Sequence, residues 1–423
     1  EASQFSYFQV VLGYLVGYFV IATILMPMYY KLNLTSIYTY LNGRYGIAAY
    51  KTGSVFFLLS RTVGAALRLF LVAGVLQYLI FESMGIPFAV TVAVTILLIW
   101  IYTFKGGIKT IVWTDSLQTF CMLAAVVIAI ITIGKELNLD MGGIVAAVKN
   151  NPDSQMFFFN DWQSGKHFAK QFISGAFIAI AMTGLDQDMM QKNLSCKNIG
   201  DAQKNMFWFS TVLVFVNLMF LALGVLLFMY ANENGITIPE RSDYLFPEIA
   251  KNHLGAVAAI VFFLGLIAAA YSSADSALTS LTTAFCIDIL NQDPNDNSAA
   301  SKRKRLTVHV GFSVLLFLLI LWANTWKDEA VISKVFKFAG YTYGPLLGLF
   351  AFGLFTKIKT IDWWIPIIAI ISPFATYGLS LLLSSVNFDV GFLLLPINGL
   401  FTFFGLLLAS IFVKRGNIND KTI

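Results

Sequence analysis

The chain has 423 residues, 58% of them hydrophobic and only 12% charged, and carries a formal net charge of +5. Soluble domains hold about 25% charged residues, so this composition excludes a soluble globular protein and marks an integral membrane protein. The three cysteines, Cys121, Cys196 and Cys286, lie in or beside apolar stretches and imply neither a disulfide framework nor a metal site, and no nucleic-acid module is visible.

Eleven apolar windows come near or exceed the ~20 residues that span a bilayer as a helix. They run 7–30, 54–81, 87–104, 113–134, 168–185, 206–230, 254–285, 307–323, 331–355, 363–384 and 390–413. Such runs are too long for barrel strands, which alternate over about ten residues. The predicted fold is all-α.

Four windows carry polar groups that matter. In the second, Arg61 and Arg68 are seven residues apart and share a helix face. Arg61 is expected near the cytoplasmic end, where it can snorkel. Arg68 lies closer to mid-membrane, where a guanidinium either pairs with a protein carboxylate or grips a substrate anion in a bidentate fork. The fourth window opens with Trp113-Thr114-Asp115-Ser116-Leu117-Gln118. There Asp115 reads either as an oxygen ligand or as an N-terminal cap.

The seventh window contains Ala269-Ala270-Tyr271-Ser272-Ser273-Ala274-Asp275-Ser276. Single hydroxyls in membrane helices usually bond their own helix or glue helices together, but here Ser272 and Ser276 share a face, flanked by Ser273 and Asp275, with small alanines beside them. Polar groups at bilayer depth are costly unless they face a partner, a cavity or an ion, so this run reads as a site. Oxygen ligands from two distant segments suit a hard cation such as Na⁺. The ninth window contains Gly340-Tyr341-Thr342-Tyr343-Gly344-Pro345. Pro removes a backbone donor and Gly loosens the ladder, so a broken helix with freed carbonyls is expected, of the kind that lines sites in inverted-repeat transporters.

Basic residues collect in alternate loops: Lys31, Arg44 and Lys51; Lys105 and Lys109; Lys192, Lys197 and Lys204; Lys302 to Arg305; Lys357 and Lys359; Lys414 and Arg415. The positive-inside rule makes that side cytoplasmic and makes Lys302 to Arg305 a solvated loop rather than a nucleic-acid patch. On this reading Glu1 begins outside, and because it is not an initiator the chain is expected to lack its start.

These residues resemble the sodium/solute symporters, a family that includes transporters of sugars, proline, pantothenate and sialic acid. The resemblance rests on Gly106-Gly107-Ile108-Lys109-Thr110 leading into Trp113 to Gln118, on Leu185-Asp186-Gln187 continuing through Gln191-Lys192 to Leu194-Ser195-Cys196-Lys197-Asn198, on Ala269 to Ser276, and on Phe338 to Pro345. It implies a LeuT-type inverted-repeat bundle with about eleven transmembrane helices here and the first core helix absent. The expected division is 1–134 as the first repeat (core helices two to five), 135–167 as an outer loop, 168–356 as the second repeat (core helices six to ten) and 357–423 as two additional helices and a tail.

The resemblance also implies site residues. The principal Na⁺ site uses the carbonyl of Ala269 and the hydroxyls of Ser272 and Ser273, completed by the absent helix. A second site, present in some members, joins Asp115 to Ser272 and Ser276, with Asp275 standing where such members often have another serine. Arg68 sits where the sialic acid transporters hold the substrate carboxylate, and Tyr341 and Thr342 at the expected interruption are further substrate contacts. Met182-Thr183 stand where sugar transporters place an aromatic pair, and Phe5 to Met26 lack the acidic residue those transporters carry, which argues against a sugar.

The expected function is Na⁺-coupled symport of a small polar solute across the cell membrane by alternating access, with Na⁺ as the coupling ion and an organic anion such as sialic acid as the favoured solute. A sugar or amino-acid symporter, or an uncoupled channel or sensor of the same fold, is the alternative. An enzyme has no support, since His167, His253 and His309 lie in three regions without metal spacing or a nucleophile constellation.

Overall fold

A computed structural model describes the backbone of residues 4–32, 36–103, 108–239, 242–325 and 331–419, and within these the side chains of all but 102, 103, 108–115, 242, 257, 258, 268–275, 332 and 412–419. All eleven apolar windows are helical. In chain order the helices are α1 (Tyr7–Val20), α2 (Met26–Leu32), α3 (Thr39–Arg44), α4 (Ile47–Leu76), α5 (Phe88–Thr103), α6 (Ile108–Glu136), α7 (Met141–Asn150) and α8 (Phe168–Ala179). They continue with α9 (Gln187–Leu194), α10 (Ile199–Glu233), α11 (Leu245–Asn252), α12 (Gly255–Ala284), α13 (Ala299–Ala323), α14 (Val331–Phe355), α15 (Trp364–Ser385) and α16 (Leu394–Asn419). Among the described residues there is no strand.

Among the described residues eight helices are long and apolar enough to cross a membrane, and a ninth span forms if the bent pair Phe168–Gly184 and Gln187–Leu194 is one crossing. The windows in α5 and α12 contribute shorter apolar stretches, Phe88–Ile101 and Ser276–Ile289. Phe19, Phe120, Phe374 and Leu382 face outward, as side chains meeting lipid do. The interior is filled by apolar clusters, the largest joining α1, α4, α8 and α14.

Small residues set the closest approaches. A Cβ on Gly13 of α1 would strike the carbonyl oxygen of Phe172 in α8, and one on Gly175 would strike that of Val10, so these two backbones touch directly. Helix α4 packs against α12, α13 and α14. Its first turn is held by Asp362, whose Oδ2 and Oδ1 accept from Ala48 N and Ala49 N, both at 2.8 Å.

The expected break at Gly340 to Pro345 does not form. Helix α14 continues from Val331 to Phe355 with Pro345 inside it. The reason is a donor from outside the helix: Asn398 of α16, fully buried, donates through Nδ2 to Gly340 O at 3.0 Å and to Tyr341 O at 2.9 Å. Tyr341 O is the carbonyl that Pro345 leaves without its usual partner. Gly344 makes room for this amide, because a Cβ there would fall 2.5 Å or less from Asn398 side-chain atoms.

Candidate functional site

The real interruption lies between α8 and α9. Helix α8 widens into a π-helical turn at Ile180–Gly184, the backbone turns extended at Asp186 (φ −101°, ψ 120°), and α9 leaves at a bend of 70°. The freed carbonyls are taken by buried phenols: Tyr29 donates to Gly184 O at 2.9 Å and Tyr38 to Leu185 O at 2.8 Å. Asp186 caps the new helix, its Oδ1 accepting from Met189 N at 3.1 Å, and Gln187 Oε1 accepts from Ile37 N at 2.8 Å.

Two carboxylates at this break meet a guanidinium from α4. Arg61 Nη2 is ion-paired to Asp188 Oδ2, and its Nη1 lies 4.0 Å from Asp186 Oδ2. Tyr343 of α14 donates to Asp186 Oδ2 at 2.6 Å, while Ser276 of α12 donates to Asp188 Oδ1 at 2.7 Å and Oδ2 at 2.9 Å. All five side chains are buried. Burying an ion pair is affordable only when its remaining donors and acceptors are also bonded, and here helices α4, α12 and α14 each bring one partner to the break. Among the described residues, Arg61 Nε is buried with no acceptor.

Arg61 and Arg68 line one narrow cleft with Gly64, Met182, Phe338 and Tyr343. Its volume is about 10 Å³, room for about one water. Among the described residues Arg68 makes neither an ion pair nor a hydrogen bond.

A larger cavity of about 230 Å³ lies beyond α9, lined by Gln187, Gln191, Ser280, Asp288 and Arg305 among others. Asp288 ties its wall together, its Oδ1 accepting from Tyr50 at 2.7 Å and its Oδ2 from Ser36 at 3.3 Å.

Of the residues singled out in the sequence, the structure brings Arg61, Arg68 and Ser276 to this region. Thr342 is buried with its hydroxyl donated to Phe338 O at 2.9 Å, one turn back along its own helix. Tyr341 stands edge-on to Tyr377, ring centroids 6.4 Å apart. From α14 the cleft is lined by Val335, Phe338, Ala339 and Tyr343 rather than by Tyr341 or Thr342. The side chains of Asp115, Ala269, Ser272, Ser273 and Asp275 lie outside the described ones, although α6 and α12, which carry them, pack against each other. Helix α6 begins at Ile108, seven residues before Asp115, so Asp115 stands about two turns inside the helix and does not cap it.

Arg61 does not snorkel; it is 5% exposed and held by the break. Sequence reasoning did not single out Asp186, Asp188 and Tyr343 as site residues. The available signal was charge: the pair Asp186 and Asp188 flanks one glutamine at the end of an apolar window and supplies the partners that a membrane-depth arginine needs.

The sodium:solute symporter family model matches residues 2–361. The sodium/sialic acid symporter NanT of Aliivibrio fischeri is 28% identical over 369 residues, covering 81% of this chain and 70% of that protein. The sodium/sialic acid symporter SiaT of Proteus mirabilis is 25% identical, covering 78% and 67%. The human sodium/iodide cotransporter is 22% identical, covering 81% and 54%. Among solved structures, the substrate-bound outward-open state of a Na⁺-coupled sialic acid symporter superposes with a TM-score of 0.76 at 21% identity, over 97% of this chain and 87% of that one. That likeness establishes the shared LeuT-type fold.

Proposed function

Because the chain belongs to the sodium:solute symporter family, it couples Na⁺ to solute movement, and we propose that the solute is an organic anion of the sialic acid class, held at its carboxylate by Arg68. The observation that carries this reading is the arginine itself: Arg68 lines a buried cleft and, among the described residues, has no carboxylate of its own. A guanidinium in that position gains a charge-assisted, bidentate contact when a carboxylate arrives. Relatives named for sialic acid and for iodide, NanT, SiaT and the human iodide cotransporter, are consistent with an anionic solute. At about one water in volume the cleft has to widen before such a solute enters.

For Na⁺, the Ala269 carbonyl and the Ser272 and Ser273 hydroxyls form the principal site on α12, and Asp115 with Ser272 and Ser276 forms a second. The bond from Ser276 to Asp188 is compatible with that role, because a hydroxyl that donates its proton keeps lone pairs for a cation. Coupling is then differential affinity: Na⁺ favours one conformation, and by linkage it raises solute affinity there. The larger cavity beyond α9 is lined by Arg305, and the basic run Lys302 to Arg305, expected as a loop, forms the first turns of α13; we assign this side to the cytoplasm and the protein to the cell membrane.

The test is uptake of labelled sialic acid into proteoliposomes under an imposed Na⁺ gradient. In a folded Ser272→Ala, Ser273→Ala double variant the Na⁺ half-saturation rises and solute affinity falls with it. Uptake independent of Na⁺ in the unaltered protein identifies a channel or sensor instead, and unchanged Na⁺ dependence in the double variant removes the two serines from the ion site.

A further inference from the structure

We infer that Arg61 is a second solute anchor, presenting its Nε–H to an oxygen of the solute remote from the carboxylate. This rests on the reading of Arg68 as the carboxylate anchor. Three observations lead to it. Arg61 and Arg68 line the same cleft. The guanidinium of Arg61 is fixed through its two terminal nitrogens, Nη2 on Asp188 and Nη1 facing Asp186, with those carboxylates themselves held by Ser276 and Tyr343. Among the described residues its Nε–H is buried and has no acceptor.

An orphaned buried donor is unusual in a folded protein and calls for a reason. A purely structural ion pair gains nothing from leaving it unmade, since an unsatisfied buried donor costs stability. A donor waiting for a ligand explains it. Because the fork is already immobilised by Asp188, little conformational entropy is lost when an acceptor arrives.

The spacing defines the ligand class. Seven helical residues separate the two arginines by about 10 Å along α4, and both side chains reach one cleft. The oxygen that Arg61 takes therefore lies several ångström from the carboxylate that Arg68 takes. That pattern fits a polyhydroxylated acid, such as sialic acid or gluconate, and not a short monocarboxylate such as pyruvate, which engages Arg68 alone. Asp188 and Asp186 are positioning residues in this scheme. They touch Arg61, and the solute feels them only through it.

The experiment is equilibrium binding of sialic acid, gluconate and pyruvate to the purified full chain in saturating Na⁺, comparing Arg61→Lys with Arg68→Lys. Lysine at 61 keeps the charge that Asp188 needs but removes the Nε donor. Arg61→Lys weakens sialic acid and gluconate by about tenfold or more and leaves pyruvate unchanged, whereas Arg68→Lys weakens all three. If Arg61→Lys leaves the long acids unaffected, or weakens pyruvate by the same factor, Arg61 is only a structural partner and the inference is wrong. Should Arg61→Lys fail to fold, Asp188→Glu keeps the ion pair but displaces the guanidinium by a methylene; a loss confined to the long acids supports the inference and its absence overturns it. Failure of Arg68→Lys to weaken any acid removes the carboxylate anchor instead, a separate outcome. If no acid binds the unaltered protein, both readings fall together.

Discussion

Helices α8–α9 and α14 both free backbone carbonyls inside the bundle, and they deal with them in opposite ways. In α14, Pro345 removes a donor, yet the helix stays continuous because Asn398 reaches in from α16 and bonds Gly340 O and Tyr341 O. Between α8 and α9 there is no proline; the chain still turns by 70°, and the carbonyls of Gly184 and Leu185 are met by Tyr29 and Tyr38. The difference lies in what the local charges need. Asp186 and Asp188 have to face Arg61 and Tyr343, and an extended residue at the break lets them do so, while α14 only has to deliver the Tyr343 hydroxyl from a helix. A proline in a membrane helix therefore announces a freed carbonyl. Whether the helix breaks depends on which partner is waiting and on whether side chains nearby require a turn.

The contrast breaks most sharply at Asp188. Among the described residues Asp188→Ala leaves Arg61 with Asp186 alone, 4.0 Å away, and removing one partner of a buried pair costs about 3–5 kcal/mol. Thermal unfolding in detergent falls by far more than for any change in α14, and transport is lost. A melting temperature close to that of the unaltered protein means the ion pair does not organise the break.

An intermediate effect comes from the partners that receive the carbonyls. Asn398→Ala strands Tyr341 O and costs about 1–3 kcal/mol. The same change in a Pro345→Ala background costs less, because the restored backbone N–H bonds that carbonyl. Equal costs in both backgrounds contradict the assignment of Asn398 as the proline's substitute donor. Tyr38→Phe, which strands Leu185 O, costs a similar amount and has no comparable rescue, since the break offers no helical donor to restore.

The fold was legible in the sequence to the extent that hydropathy decides it. All eleven apolar windows became helices, because a run of that length and composition has no other stable form in a bilayer. The position of the break was not legible. Gly340, Gly344 and Pro345 pointed to α14, but a propensity signal says nothing of Asn398, which lies more than fifty residues away in sequence and whose role is purely tertiary. Of the site, Arg61, Arg68 and Ser276 were visible as polar groups in apolar helices, although Arg61 was expected to snorkel rather than to pair. Asp186, Asp188 and Tyr343 were visible only as motif letters, because their function arises from long-range pairing with Arg61 over 127 residues for Asp188 and from Tyr343 over 157 for Asp186.

The smallest effect is expected at Thr342, which the sequence placed among the substrate contacts. Its hydroxyl is spent on Phe338 O, a carbonyl of its own helix, so Thr342→Val costs about 1 kcal/mol or less and leaves the half-saturation for solute within about twofold. A tenfold loss of solute affinity in a stable Thr342→Val protein returns that residue to the site and shifts the cleft wall along α14.

The central claim is that Na⁺ drives an organic anion held by Arg68. Its most direct measurement is Na⁺-gradient-driven uptake of labelled sialic acid by proteoliposomes carrying the unaltered chain or Arg68→Lys, with a neutral sugar as the control. The account predicts Na⁺-dependent uptake of the acid, a half-saturation raised about tenfold or more in Arg68→Lys because the charge stays but the fork is lost, and no accumulation of the sugar. Uptake of the neutral sugar in preference to the acid, or an Arg68→Lys variant that transports the acid normally, contradicts it.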